Sequence, residues 1–187
     1  MSSKPEGGAV AAAGAAEIES LPILDIRDVP ELTNDHRAKL WDAVIAAIRA
    51  ENRRHYAQDS WTGDYVNVHG AGYAVFAGHC GTRACIAGHA LHEAAELKLM
   101  PPCKLKLMTG SSLITEAAER LLGLNRVAAH LLFDESAKPG DSFDTIDEVL
   151  EEVKLRQAAG ASLESISDWL DTVLEFHEVP DPEDYDC

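Results

Sequence analysis

Two cysteines and two histidines fall within thirteen residues, Cys80-Gly-Thr-Arg-Ala-Cys85-Ile-Ala-Gly-His89-Ala-Leu-His92. Thiolates and imidazoles suit tetrahedral zinc, so Cys80, Cys85, His89 and His92 form one candidate metal set. A second chemistry uses the thiol alone. A helix starting near Ala84 puts Cys85 in its first turn, where unpaired amides and the positive dipole end lower a thiol's pKa. Cys85 is then a candidate catalytic nucleophile for a thiol-dependent hydrolase or transferase. Such a nucleophile needs a base, and His69, His79 and His130 are the candidates off that helix. The third reading is structural: Cys85, Ile86 and Ala87 as small core residues, Gly81 and Thr82 as the turn and cap, and the histidines at the core's edge. The spacing favours the third. It fits no zinc module, and three ligands on one helix would strain a tetrahedron. No resident cofactor is therefore the leading expectation, with zinc as the exception to test.

The elements around this segment follow from periodicity and punctuation. Leu21–Ile26 reads as a short strand or an extended lead-in. Thr33 or Asn34 caps a helix ending near Tyr56, with Leu40, Trp41, Val44, Ile45 and Ile48 as its apolar stripe. Arg49, Arg53 and Arg54 read as a solvated end of that helix, where cations suit the dipole. Tyr65–His69 and Tyr73–Phe76 are β-prone runs around Gly70-Ala-Gly72, which predicts a hairpin. The cysteine segment then runs into a helix to about Leu99, stopped by Pro101 and Pro102. Gly88 inside it costs roughly 1 kcal/mol relative to Ala, which points to a close approach by another backbone. Lys104–Met108 alternates like a short strand.

Further on, Ser111 or Ser112 caps a helix with Ile114, Ala117, Ala118, Leu121 and Leu122 at helical spacing, ended by Gly123. Asn125 starts a short helix through Phe133, and Lys138-Pro-Gly-Asp141 is a turn cluster. Thr145 and Glu148 have capping-box spacing ahead of Ile146, Val149, Leu150 and Val153. Gly160 breaks the chain. Ser162 then caps a last helix with Leu163, Ile166, Trp169, Leu170, Val173 and Leu174 on its apolar side.

Residues 80–90, CGTRACIAGHA, resemble a motif of uncharacterised bacterial and phage proteins: Cys-Gly-Thr, two variable residues, then Cys-x-Ala-Gly and an aromatic residue, commonly Trp. Ala118-Glu-Arg-Leu-Leu-Gly-Leu124, its continuation to Leu132-Phe133, and an upstream Trp such as Trp61 extend the resemblance over roughly residues 60–133. It implies that Cys80, Gly81, Thr82, Cys85, Ala87 and Gly88 act as one unit. It brings no activity. A Trp at the position of His89 would leave no ligand there, which weakens the zinc reading.

Charge divides the chain more sharply than any motif. The net charge is −16, yet residues 134–187 hold 17 acidic and 3 basic side chains, a net of −14, and the first 133 residues are nearly neutral at −2. Such a segment repels phosphates and anionic membranes and attracts a basic partner at low salt. The i,i+4 carboxylates Asp147 with Glu151 and Glu148 with Glu152 read as a solvated face, since no loop oxygens accompany them. No apolar run of about 18 residues suggests a membrane span. The Ala- and Gly-rich start lacks a signal-peptide pattern, so a cytoplasmic location is expected.

The expected fold is mainly α: a compact helical core with a small β-hairpin and an acidic C-terminal helical pair. Residues 1–20 read as a flexible tail, 21–133 as the core, 141–178 as the acidic helical hairpin and 179–187 as an acidic tail. The leading functional expectation is a non-enzymatic interaction or regulatory protein whose acidic surface meets a basic protein, with no direct nucleic-acid binding and no membrane association. The Cys85 enzyme and the structural zinc protein are its rivals.

Overall fold

The computed structural model describes residues 20–23, 25–52, 65–68, 71–76, 86–101, 103–106, 112–134 and 137–176. The chain is mainly helical. Its helices are α1 (Asn34–Asn52), α2 (Ile86–Glu96), α3 (Ser112–Leu122), α4 (Arg126–Phe133), α5 (Ile146–Ala158) and α6 (Leu163–Val173). The strands are β1 (Tyr65–Val68), β2 (Ala71–Phe76), β3 (Cys103–Lys106), β4 (Ala137–Pro139) and β5 (Leu174–Phe176). The hairpin is present: β1 pairs antiparallel with β2, and β3 adds to the other edge of β2.

The apolar stripes read from the sequence are the surfaces that meet. Leu40, Trp41, Val44, Ile45 and Ile48 of α1 are all buried, as are Ile114, Ala117, Ala118, Leu121 and Leu122 of α3. Fully burying a Leu, Ile or Val side chain is worth about 1.5–3 kcal/mol, so these stripes dominate the local energetics. Between them lies α2, buried along almost its whole length; Ala87, Ala90 and Ala94 give it one face of little side-chain bulk, while Ile86 and Leu91 fill the core beside it. Leu163, assigned to the apolar side of α6, is instead 40% exposed, because it opens the helix at its solvent end.

One device ends three helices. Gly123 and Gly160 take positive φ, 63° and 78°, and the next residue's N–H returns to a carbonyl five positions back: Leu124 to Glu119 and Ala161 to Arg156, both at 3.0 Å. At the end of α2 the same turn is made by Lys98, φ 56°, with Leu99 N–H on Ala94 at 2.8 Å. Helix α2 therefore ends at Glu96, three residues short of Leu99, ahead of the prolines that were expected to stop it. The lead-in also differs. It enters a single 3-10 turn, Ile26–Asp28, because the Asp25 side chain accepts the Arg27 N–H and caps it.

Helices α5 and α6 share the core instead of standing beside it. One cluster of buried side chains runs from Val29 to Leu174. Helix α5 lies chiefly along α1 and α6 along α4, and each touches the other less than it touches the core. The turn cluster at Lys138 contains a strand: β4 pairs antiparallel with β5, which follows α6 directly. Gly140 extends that pairing by donating its N–H to Val173 at 2.8 Å. Among the described residues no helix is long and apolar enough to cross a membrane.

Candidate functional site

Cys80, Cys85, the candidate bases His69 and His79, Trp61, Arg53, Arg54, most of the N-terminal tail and the 179–187 tail lie outside the described residues. Of the cysteine segment, the structure places His89 and His92. Both belong to α2, three residues apart on one face, and both are buried, at 7% and 8% exposure. His130, the remaining candidate base, is exposed on α4. Among the described residues no group of three His, Cys, Asp or Glu side chains is placed to hold a metal ion. Cys103 sits in the core at 0% exposure, and burial pushes its thiol up to about 12. It stays protonated at neutral pH and is a packing residue.

The acidic region is partitioned by its partners. Asp147, on the inner side of α5, is only 6% exposed; Arg49 of α1 reaches it at 2.5 Å and Glu151 at 2.7 Å. This i,i+4 carboxylate pair holds one guanidinium: Asp147 is withdrawn from solvent, while Glu151 and Arg49, at 48% and 47% side-chain exposure, remain on a solvated face and helix end. Burial raises the Asp147 carboxyl, but hydrogen bonds from Thr145 and Arg49 outweigh it and hold the group below its ordinary value. Lys154 of α5 pairs with Asp42 of α1. Glu152 pairs with Arg156 at 2.9 Å, and Glu148 accepts the N–H groups of Asp144 and Thr145 at 2.9 and 3.3 Å, closing the capping box. The acids of α5 are thus used within the fold.

Helix α6 is different. Its inner face holds Ile166, Ser167 and Leu170 buried against the core. Trp169, half-buried, meets Phe143 edge-on at 5.8 Å and lies under Arg156 at 4.3 Å, which fixes how the helix sits. Glu164, Asp168 and Asp171 follow at i, i+4 and i+7 on the opposite face and are exposed. Among the described residues none of the three has a cation within 4.0 Å. Glu175 continues the row into β5, where Lys138 is its cross-strand neighbour. The last turn of α6 holds no basic residue.

Stability accounts for Glu164, an acid in the first turn of α6, but not for Asp168 and Asp171. Like charges at i,i+4 cost a helix a few tenths of a kcal/mol, and a carboxylate in the last turn opposes the dipole by about 0.3–1 kcal/mol. Net charge showed that the C-terminal region is acidic. Only tertiary structure separates the acids spent on Arg49, Arg156 and the cap of α5 from those left facing outward on α6. No protein-family model matches the chain, and neither does any curated protein or solved structure. Function is therefore read from the surface itself.

Proposed function

We propose that this is a non-enzymatic interaction protein that docks a basic protein segment on the outer face of α6. The observation behind this reading is the row Glu164, Asp168 and Asp171: exposed, on one helical face, and among the described residues without a cation at ion-pair distance. Because Trp169 and Leu170 hold the inner face, the row is presented on a fixed element and needs little ordering on binding. The partner chemistry is a run of Lys or Arg at matching helical or extended spacing. Rim charges of this kind act mainly on association rate and are screened by salt, so the interaction belongs to the fast, salt-sensitive class.

The test is an affinity titration with a lysine- and arginine-rich peptide at low salt, comparing two variants of equal charge. Asp168→Asn with Asp171→Asn weakens binding about fivefold or more, whereas Asp141→Asn with Asp144→Asn, exposed before α5, changes it little. Equal weakening by both pairs would reduce the effect to net charge and contradict a docking face.

A further inference from the structure

A second surface points to a small ligand. The N-terminal turn of α1, the C-terminal end of α3 and the end of α5 enclose an open cleft of about 690 Å³. That lies in the range of small-molecule sites. Trp41 and Gln157 line its inner part, Arg37 and Arg120 its walls, and Lys154 is also present. The Trp41 indole is 1% exposed and donates to Gln157 at 2.8 Å. The inner wall is therefore rigid.

The two arginines are incompletely used. Arg37 donates through its Nη atoms to the Leu32 carbonyl at 3.2 Å and to Asn34 at 3.4 Å, both long. Arg120 reaches Glu31, an 83% exposed carboxylate, only at 3.6 Å. The Nε atom of each is shielded from solvent and meets no protein acceptor among the described residues. A buried N–H without an acceptor is costly, and one on a charged group more so. Gly123 makes the arrangement possible, since a Cβ at that position would collide with the Arg37 side chain.

We propose that this cleft binds a small molecule bearing an oxyanion, phosphate or carboxylate, with Arg37 and Arg120 as its binding residues. Guanidinium edges carrying free N–H donors are the groups that recognise such oxygens. Glu31, Asp35 and Glu119 share the lining; Glu31 and Asp35 are exposed to solvent, which screens their charge. Lys154 is already paired with Asp42 and plays the smaller part.

The full chain is titrated with inorganic phosphate and, separately, with acetate, each against chloride at equal ionic strength. The readout is the Trp41 indole N–H resonance, assigned through Trp41→Phe. Saturable shifts at about 20 mM anion or below are expected. Arg120→Gln, altering a partly exposed side chain, weakens binding about tenfold or more, and Arg37→Gln does the same. Preference for phosphate over acetate, or the reverse, assigns the oxyanion. No saturation with either anion, or affinities unchanged in both folded variants, overturns the proposal.

Discussion

Asp147 shows how a residue's surroundings reassign it. From the sequence it is one of many acids on an amphipathic helix, and with Glu151 it has the spacing of a solvated face. In the fold it is 6% exposed and meets Arg49 at 2.5 Å. Breaking one side of a nearly buried charged pair leaves the other undercompensated. Asp147→Asn is expected to lower stability by about 2 kcal/mol at pH 7, read from urea unfolding. The carboxyl is held below its ordinary value of 3.8, so its contribution is complete well above that pH and fades as pH falls through the lower folded-state value. Wild type and variant should therefore converge in strong acid. An undiminished gap there would assign the loss to something other than the charge. The arginine on α1 and the carboxylates on α5 stand about a hundred positions apart in the chain. Nothing in either local pattern names the other.

Among elements, what was local was legible. Thr33 accepts the His36 N–H at 3.3 Å, Asn125 accepts from Ala128 at 2.8 Å and Ser162 from Ser165 at 3.1 Å, each at a cap the sequence had marked. Gly123 and Gly160 end their helices in the left-handed region as their positions suggested. Lys98 was missed because its side chain gives no sign of a positive φ, and two prolines downstream offered a more obvious stop. Strands β4 and β5 were missed for another reason: each has three residues, one includes Pro139, and their pairing spans all of α5 and α6. The polar tie among α1, α3 and α5 was equally invisible. One amide, Gln157, accepts from Trp41 at 2.8 Å and donates to the Leu122 and Gly123 carbonyls at 3.1 and 3.0 Å. Gln157→Ala strands the buried indole N–H and uncaps α3, so a loss of about 2–4 kcal/mol is expected in thermal or urea unfolding. A loss below about 0.5 kcal/mol would show that water replaces the amide without cost.

At the scale of the molecule, the division of charge read from the sequence is real but was too coarse to locate a surface. A net of −14 over residues 134–187 suggested a whole acidic face. Folding brings Arg49 of the nearly neutral front against α5, and among the described acids of the C-terminal region those left outward on a helix with neither a cation nor a capping role are Glu164, Asp168 and Asp171 of α6. The cysteine segment followed the opposite course. It held the densest chemistry in the sequence, yet the histidines that the structure places there are buried in α2, within the helical core. Docking on the outer face of α6 is open to direct test. Its most direct test is a titration of the isotopically labelled full chain with a lysine- and arginine-rich peptide, followed residue by residue in NMR spectra at about 50 and 300 mM salt. The largest shifts are expected at Glu164, Asp168 and Asp171, strongly reduced at the higher salt. Shifts centred on α5, or undiminished by salt, would contradict it.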